Sequence, residues 1–186
     1  MSTTKIIIAG FGGQGILFTG KLMTYQGLLD GKYVSWLPSY GPEVRGGTCN
    51  CSVIISDEPI GSPIIDNPDI VIAMNRPSLD KYEPRVAKGG KLFVESSLID
   101  RKAERTDITV YYVPATEIAN ENGDNRLGNM VMHGKVLSVT DAISFDNVRQ
   151  AIEKVISARH RDLLDINMKI LAAGYSGGQA AASRFA

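Results

Sequence analysis

The chain alternates short, wholly apolar runs with longer stretches of helical spacing. Lys5–Ala9 and Asp69–Met74 are apolar almost throughout and too short for helices, which predicts strands buried on both faces. Asn50–Ser56 alternates apolar and polar positions and predicts a third strand. Tyr33–Leu37, Lys91–Glu95 and Ile108–Val113 read the same way, with Pro38 expected to stop the first of them. Between these runs the spacing becomes helical. Gln14 to Leu29 places Ile16, Gly20, Met23 and Gln26/Gly27 on one stripe, with glycines that permit close packing and Asp30-Gly31 as its close. Asn75-Arg76-Pro77-Ser78 opens another helix, with Gly89-Gly90 expected at its end. Ala115–Asn120 and Asn129–Val139 read as helices, separated by the polar stretch Glu121–Arg126. Ser144 is placed to cap a helix bearing Val148, Ile152, Val155 and Ile156. A final helix from Asp162 carries Leu164, Ile166, Ile170 and Leu171, and Gly174 is expected to end it.

Strands alternating with helices predict an α/β fold, a three-layer, Rossmann-like, mostly parallel sheet with helices on both faces. No repeat or linker divides the chain. The expected organisation is one domain over residues 1–175 and a flexible, small-residue tail over 176–186.

Charge and composition narrow the function classes. Twenty basic residues balance twenty acidic ones, so the basic excess typical of a nucleic-acid or membrane-surface binder is missing. No apolar run approaches the roughly 18–20 residues of a membrane span. The polar start, Met1 to Lys5, lacks a secretory signal's apolar core, and the expected location is cytoplasmic. Cys49 and Cys51 would share one face of a strand. A cluster or structural zinc needs four ligands. His133 and His160 lie far away in sequence, so the cysteines read as core-packing residues and no metal site is expected. His133 itself falls in an apolar, helix-like segment and reads as a packed or interfacial side chain.

The candidate chemistry gathers in two loops. Gly10-Phe11-Gly12-Gly13-Gln14-Gly15 fits G-x-G-x-x-G between a strand and a helix. Such glycines permit a tight turn and close backbone approach, and free N–H groups at the helix start attract phosphate. The alternative is a tight structural turn packed against a neighbouring chain. For NAD, a carboxylate should end the second strand, but that strand ends Trp36-Leu37-Pro38-Ser39, and Asp30 precedes it. Gly15 to Leu22 has the spacing of a P-loop, yet Leu22 replaces the hydroxyl residue that would hold magnesium. The second loop, Tyr40 to Thr48, leaves the carboxyl end of the second strand, beside the glycine turn. There Arg45 offers a forked cation, Tyr40 an aromatic face, Gly46-Gly47 a close approach, and Glu43 an anchor for Arg45. No nucleophile and base stand in a defensible catalytic arrangement.

Together, "GFGGQG", "WLPSYGPEVRGGTCNCSVIIS" and "GNMVMHG" resemble the gamma subunit of the 2-oxoacid:ferredoxin oxidoreductases, most closely the 2-oxoglutarate (KorC-like) type. The resemblance runs from Lys5 to about Tyr175. It implies a complex that decarboxylates a 2-oxo acid, passes two electrons to ferredoxin and delivers an acyl group to coenzyme A. It also implies that thiamine diphosphate, magnesium and iron–sulfur clusters belong to partner alpha and beta subunits, and to a delta or ferredoxin-like subunit. The gamma subunit corresponds to a domain that helps bind coenzyme A. That assigns Gly10, Gly12, Gly13, Gln14, Gly15, Tyr40, Arg45, Gly46 and Gly47 to coenzyme A contacts. His133 stands where many relatives carry an apolar residue. Two other readings stay open: an NAD(P) oxidoreductase, and a structural subunit that binds no small molecule. Isolated, the chain is expected to be inactive and able to form a homodimer.

Overall fold

Parallel strands need crossovers, and the chain supplies them as helices. The computed structural model describes residues 2–40, 48–156 and 158–177, and its strands form one six-stranded sheet ordered β2-β3-β1-β4-β5-β6. In chain order these are β1 (Thr3–Phe11), β2 (Tyr33–Tyr40), β3 (Thr48–Ser56), β4 (Ile70–Ala73), β5 (Lys91–Glu95) and β6 (Thr109–Val113). β1, β4, β5 and β6 pair in parallel, while β3 runs antiparallel to both β1 and β2. The sheet is therefore mostly parallel, as its apolar runs predict.

The helices are α1 (Ile16–Leu29), α2 (Arg76–Tyr82), α3 (Ala115–Glu121), α4 (Gly128–Val139), α5 (Val148–Val155) and α6 (Leu164–Ser176). They cover the sheet unequally. Ile6 and Ile8 of β1 point into a large core shared with α1, α4, α5 and α6. Ile7 and Ala9 point into a smaller core closed by Leu79 and Tyr82 of α2 and by Ile65, Val86 and Ile99. Burial on both faces explains why β1 is an unbroken apolar run.

Two predicted details hold because of close packing. A Cβ at Gly20 would overlap Cys51 Sγ, and one at Gly27 would come within 2.8 Å of Val34, so the small residues of α1 let it lie on β2 and β3. Cys49 and Cys51 are both buried in this core, as their shared face predicts. Burial pushes the Cys51 thiol up to about 12, so it packs as a small hydrophobe.

Four expectations are corrected. Pro38 does not stop β2, which continues to Tyr40. β2 is an outer strand, where a missing N–H need not break the ladder to the inner neighbour. Gly89-Gly90 does not end the second helix. α2 stops at Tyr82, a 3-10 turn covers Glu83–Arg85, and Gly89, with φ 76°, turns the chain into β5. Ser144 does not cap α5. Its N–H donates to Asp30 Oδ2 (2.7 Å), and Asn147 Nδ2 donates to Asp30 Oδ1 (2.6 Å), so the end of α1 holds the start of α5. Gly174 does not end the last helix, which runs on to Ser176. A Cβ at Gly174 would overlap the Val131 carbonyl, and one at Gly134 the Leu171 carbonyl. At these two glycines the backbones of α4 and α6 come into contact, Gly174 against Val131 and Gly134 against Leu171.

Candidate functional site

The glycine turn lies between β1 and α1, at the carboxyl end of the parallel strands, where open α/β sheets take ligands. Gly13 and Gly15 have φ of 97° and 75°, a conformation that L side chains avoid. Gly13 is open, with no atom of the described residues within 4 Å of where a Cβ would stand. Gly10 is enclosed: a Cβ there would lie 2.6 Å from Gln14 Oε1 and 2.9 Å from Met74 Cβ. Gln14 folds back into that space. The Phe11 N–H donates to its Oε1 (2.7 Å), and its Nε2 donates to the Met74 carbonyl (2.9 Å). Its side chain therefore ties the end of β1 to the end of β4, while its own N–H donates to the Phe11 carbonyl (3.2 Å).

α1 begins without a side-chain cap and without an acidic residue in its first turn. The first N–H groups of a helix have no intrahelical acceptor, so this end carries partial positive charge available to an anion. The second loop joins β2 to β3 at the same end of the sheet, since Thr48 pairs with Phe11 and Tyr40 with Cys49. Arg45, Gly46, Gly47 and Glu43 lie outside the described residues, as does the Tyr40 side chain.

Two polar residues of the site were not anticipated, Asn129 and Asn167. Asn129, near the start of α4, packs its carboxamide over Gly15, where a Cβ would come within 2.5 Å of Nδ2. Asn129 Nδ2 donates to Thr19 Oγ1 (3.1 Å), and Thr19 Oγ1 donates to the Gly15 carbonyl (3.1 Å). The "GNMVMHG" stretch thus buttresses the glycine turn. Its signal in the sequence is an Asn heading an otherwise apolar helix. Beside Gly13 and Gly15 opens a cleft of about 360 Å³. Phe18, Leu127, Val155, Ile156 and Leu163 give it an apolar wall; Asn129 and Asn167 add carboxamides, and Arg126 stands at its rim. Asn167 sits in α6, where an isolated Asn reads as a surface residue, so nothing in the sequence flagged it.

His133 is fully buried and packs between helices, as its apolar surroundings predict. Burial lowers its pKa to about 3, so the ring is neutral. Its Nε2 lies 2.6 Å from Gln26 Oε1, which makes Nε2–H the donor, and Nδ1 has no partner among the described residues.

The dinucleotide and triphosphate patterns find no support. β2 ends Pro38-Ser39-Tyr40, and Asp30 is engaged by Ser144 and Asn147 at the far end of α1. The P-loop-like spacing from Gly15 to Leu22 is continuous helix from Ile16 onward. Among the described residues no three His, Cys, Asp or Glu side chains are grouped to hold a metal ion, and no helix is long and apolar enough to cross a membrane.

Comparison with known proteins places this architecture. Residues 5–177 match the family model described as pyruvate ferredoxin/flavodoxin oxidoreductase. The ketoisovalerate oxidoreductase subunit VorA of Methanothermobacter marburgensis is 39% identical over 171 residues, 91% of this chain but 35% of VorA. The chain therefore spans about a third of the length of that relative. The 2-oxoglutarate synthase subunit KorC of Methanocaldococcus jannaschii is 36% identical over 80% of this chain and 81% of its own length. A keto/oxoacid ferredoxin oxidoreductase gamma subunit from Geobacter sulfurreducens superposes with a TM-score of 0.82 at 28% identity, covering 96% of this chain and 99% of that one. The similarity to ketoisovalerate and 2-oxoglutarate subunits is of the same order. Matched over nearly its whole length, the chain belongs to the pyruvate ferredoxin/flavodoxin oxidoreductase family.

Proposed function

We propose that this chain is the gamma-type subunit of a 2-oxoacid:ferredoxin oxidoreductase, with 2-oxoglutarate as the substrate. In the reaction a 2-oxo acid, coenzyme A and two oxidised ferredoxins give an acyl-CoA, carbon dioxide, a proton and two reduced ferredoxins. In this reading thiamine diphosphate, magnesium and iron–sulfur clusters sit on partner alpha, beta and delta or ferredoxin-like subunits. The residues here fit that division. Cys49 and Cys51 face the core rather than a cavity, so they are unsuited to holding a cluster. The 2-oxoglutarate assignment rests on the stretch Trp36–Ser56.

The chain's own part is to hold coenzyme A and to join the complex. The observation that carries this is an uncapped α1 N-terminus, fronted by the open Gly13, beside an apolar cleft. Gly12, Gly13 and Gly15 offer backbone to a phosphate, and Arg45, with Tyr40, Gly46 and Gly47, is assigned to the same ligand from the second loop. Such a site binds an anion without the ribose-holding carboxylate that NAD requires.

Calorimetric titration with coenzyme A, with NAD and NADP as controls, tests the reading. Coenzyme A is expected to bind, the nicotinamide cofactors are not, and Arg45→Ala should weaken coenzyme A by about tenfold or more through loss of a charged hydrogen bond. Failure of coenzyme A to bind would overturn the ligand assignment and favour a structural subunit, which co-purification with alpha- and beta-type chains would then test.

A further inference from the structure

The cleft beside the glycine turn is built for a different chemistry from the turn itself. Asn129 and Asn167 are 6% and 4% exposed, and both line it. Their hydrogen bonds fix which way each carboxamide points. Thr19 Oγ1 gives its only proton to the Gly15 carbonyl, so it can only accept from Asn129, and the atom facing it must be Nδ2. Asn167 Nδ2 donates to the Leu163 carbonyl (2.7 Å), an acceptor with no proton to give. Each side chain has therefore turned its NH2 toward the protein, where one of its two N–H groups is bonded. Each retains a carboxamide oxygen with no hydrogen-bond partner among the described residues, on a side chain otherwise buried.

The rim does not alter this polarity. Arg126 is held by Asp124 through two parallel bonds, Nε to Oδ1 (2.9 Å) and Nη2 to Oδ2 (2.6 Å), so its charge is already matched. Away from the glycine turn the cleft is apolar, carries two carboxamide oxygens without a partner among the described residues, and has a charge-matched rim. It favours an uncharged chain or ring that carries N–H donors.

We infer that this cleft is a donor-selective subsite: Asn129 and Asn167 accept hydrogen bonds from the amide N–H groups of an otherwise apolar ligand arm. Resting on the coenzyme A reading, that arm is pantetheine, with its two secondary amides, and the phosphates stay at the glycine turn. Asn129 then has two tasks, buttressing Gly15 with Nδ2 and receiving ligand with Oδ1. Asn167 has only the second, together with its local helix bond, which makes it the cleaner position to change.

The test uses the whole chain and three probes: pantetheine, pantetheine methylated on both amide nitrogens, and adenosine 3′,5′-bisphosphate. Methylation removes the donors from the ligand and leaves the protein untouched, so folding does not enter. Pantetheine is expected to bind and to shift the side-chain amide resonances of Asn129 and Asn167, which the bisphosphate should leave in place. The methylated probe should bind about tenfold more weakly, the loss of two ordinary hydrogen bonds. Asn167→Leu should weaken pantetheine about threefold and narrow the gap between the two probes. Equal affinity for the two forms, bisphosphate shifting the cleft amides, or no pantetheine binding would each overturn the assignment. Coenzyme A that binds with no methylation effect would overturn the subsite and leave the proposed function standing. Pantetheine discriminated by its donors while coenzyme A fails to bind would do the reverse.

Discussion

Buried polar side chains at the carboxyl edge of the sheet behave in two ways. Glu95, at the end of β5, is fully buried and accepts from the N–H groups of Ser97, Ala115 and Thr116 and from the Thr116 hydroxyl. Every donor comes from the ends of two neighbouring elements, and the carboxylate joins the end of β5 to the start of α3. Glu83 does the same lower on the sheet's other face, accepting from Arg101 (2.5 Å) and from the backbone of Glu104 and Arg105. Asn129 and Asn167 are buried almost as deeply, yet each keeps an oxygen without a partner among the described residues. The difference teaches that burial of a polar group does not mark a site. A saturated group is part of the scaffold, and remaining hydrogen-bond capacity beside a cavity points to a ligand.

The comparison is most exposed at Glu95. Glu95→Ala leaves several buried N–H groups without acceptors and should lower stability by about 3 kcal/mol in chemical denaturation. A change below about 1 kcal/mol would mean that its donors find other partners and that saturation here is incidental.

His133 is an intermediate case, with one ring nitrogen engaged and the other without a partner among the described residues. Its folded pKa of about 3 lies below the ordinary 6.5, because burial disfavours the charged ring. As pH falls, the unfolded chain takes the proton first. The contribution to stability is complete above about pH 6.5 and is lost progressively toward pH 3, about 2 kcal/mol by pH 5. Denaturation midpoints at pH 7 and pH 5 check this, and His133→Leu should flatten the difference. A wild-type profile without that slope would show that the ring is protonated or hydrated in the folded chain.

The smallest effect belongs to Asn167. If its main task is toward a ligand, Asn167→Leu should change stability by less than about 1 kcal/mol, since only one helix-local hydrogen bond goes. A loss as large as that of Glu95→Ala would place Asn167 with the scaffold and dissolve the distinction.

Much of this protein was legible in its residues. The apolar runs at Ile6–Ile8 and Ile70–Ala73 marked strands covered on both sides, and the small residues Gly20 and Gly27 marked the contact face of α1. Both follow from local rules: period, length and the absence of a Cβ. The "GFGGQG" turn was legible for the same reason, because two of its glycines need positive φ. Other features depended on neighbours distant in sequence. Pro38 is tolerated because β2 is an outer strand, which only sheet order decides. Gly174 sits inside α6 because the Val131 backbone of α4 lies against it there, and no local pattern distinguishes such a glycine from a helix end. That the Gln14 side chain ties β1 to β4 was not legible, because Met74 reaches the turn only through the fold. Asn129 and Asn167 came to line one cleft only when α4 packed against both α6 and α1. The sequence by itself determined the elements, the turn and the kinship, since each is written in consecutive residues. Tertiary structure alone decided which polar atoms were satisfied, because that depends on which donors and acceptors folding brings within hydrogen-bond reach.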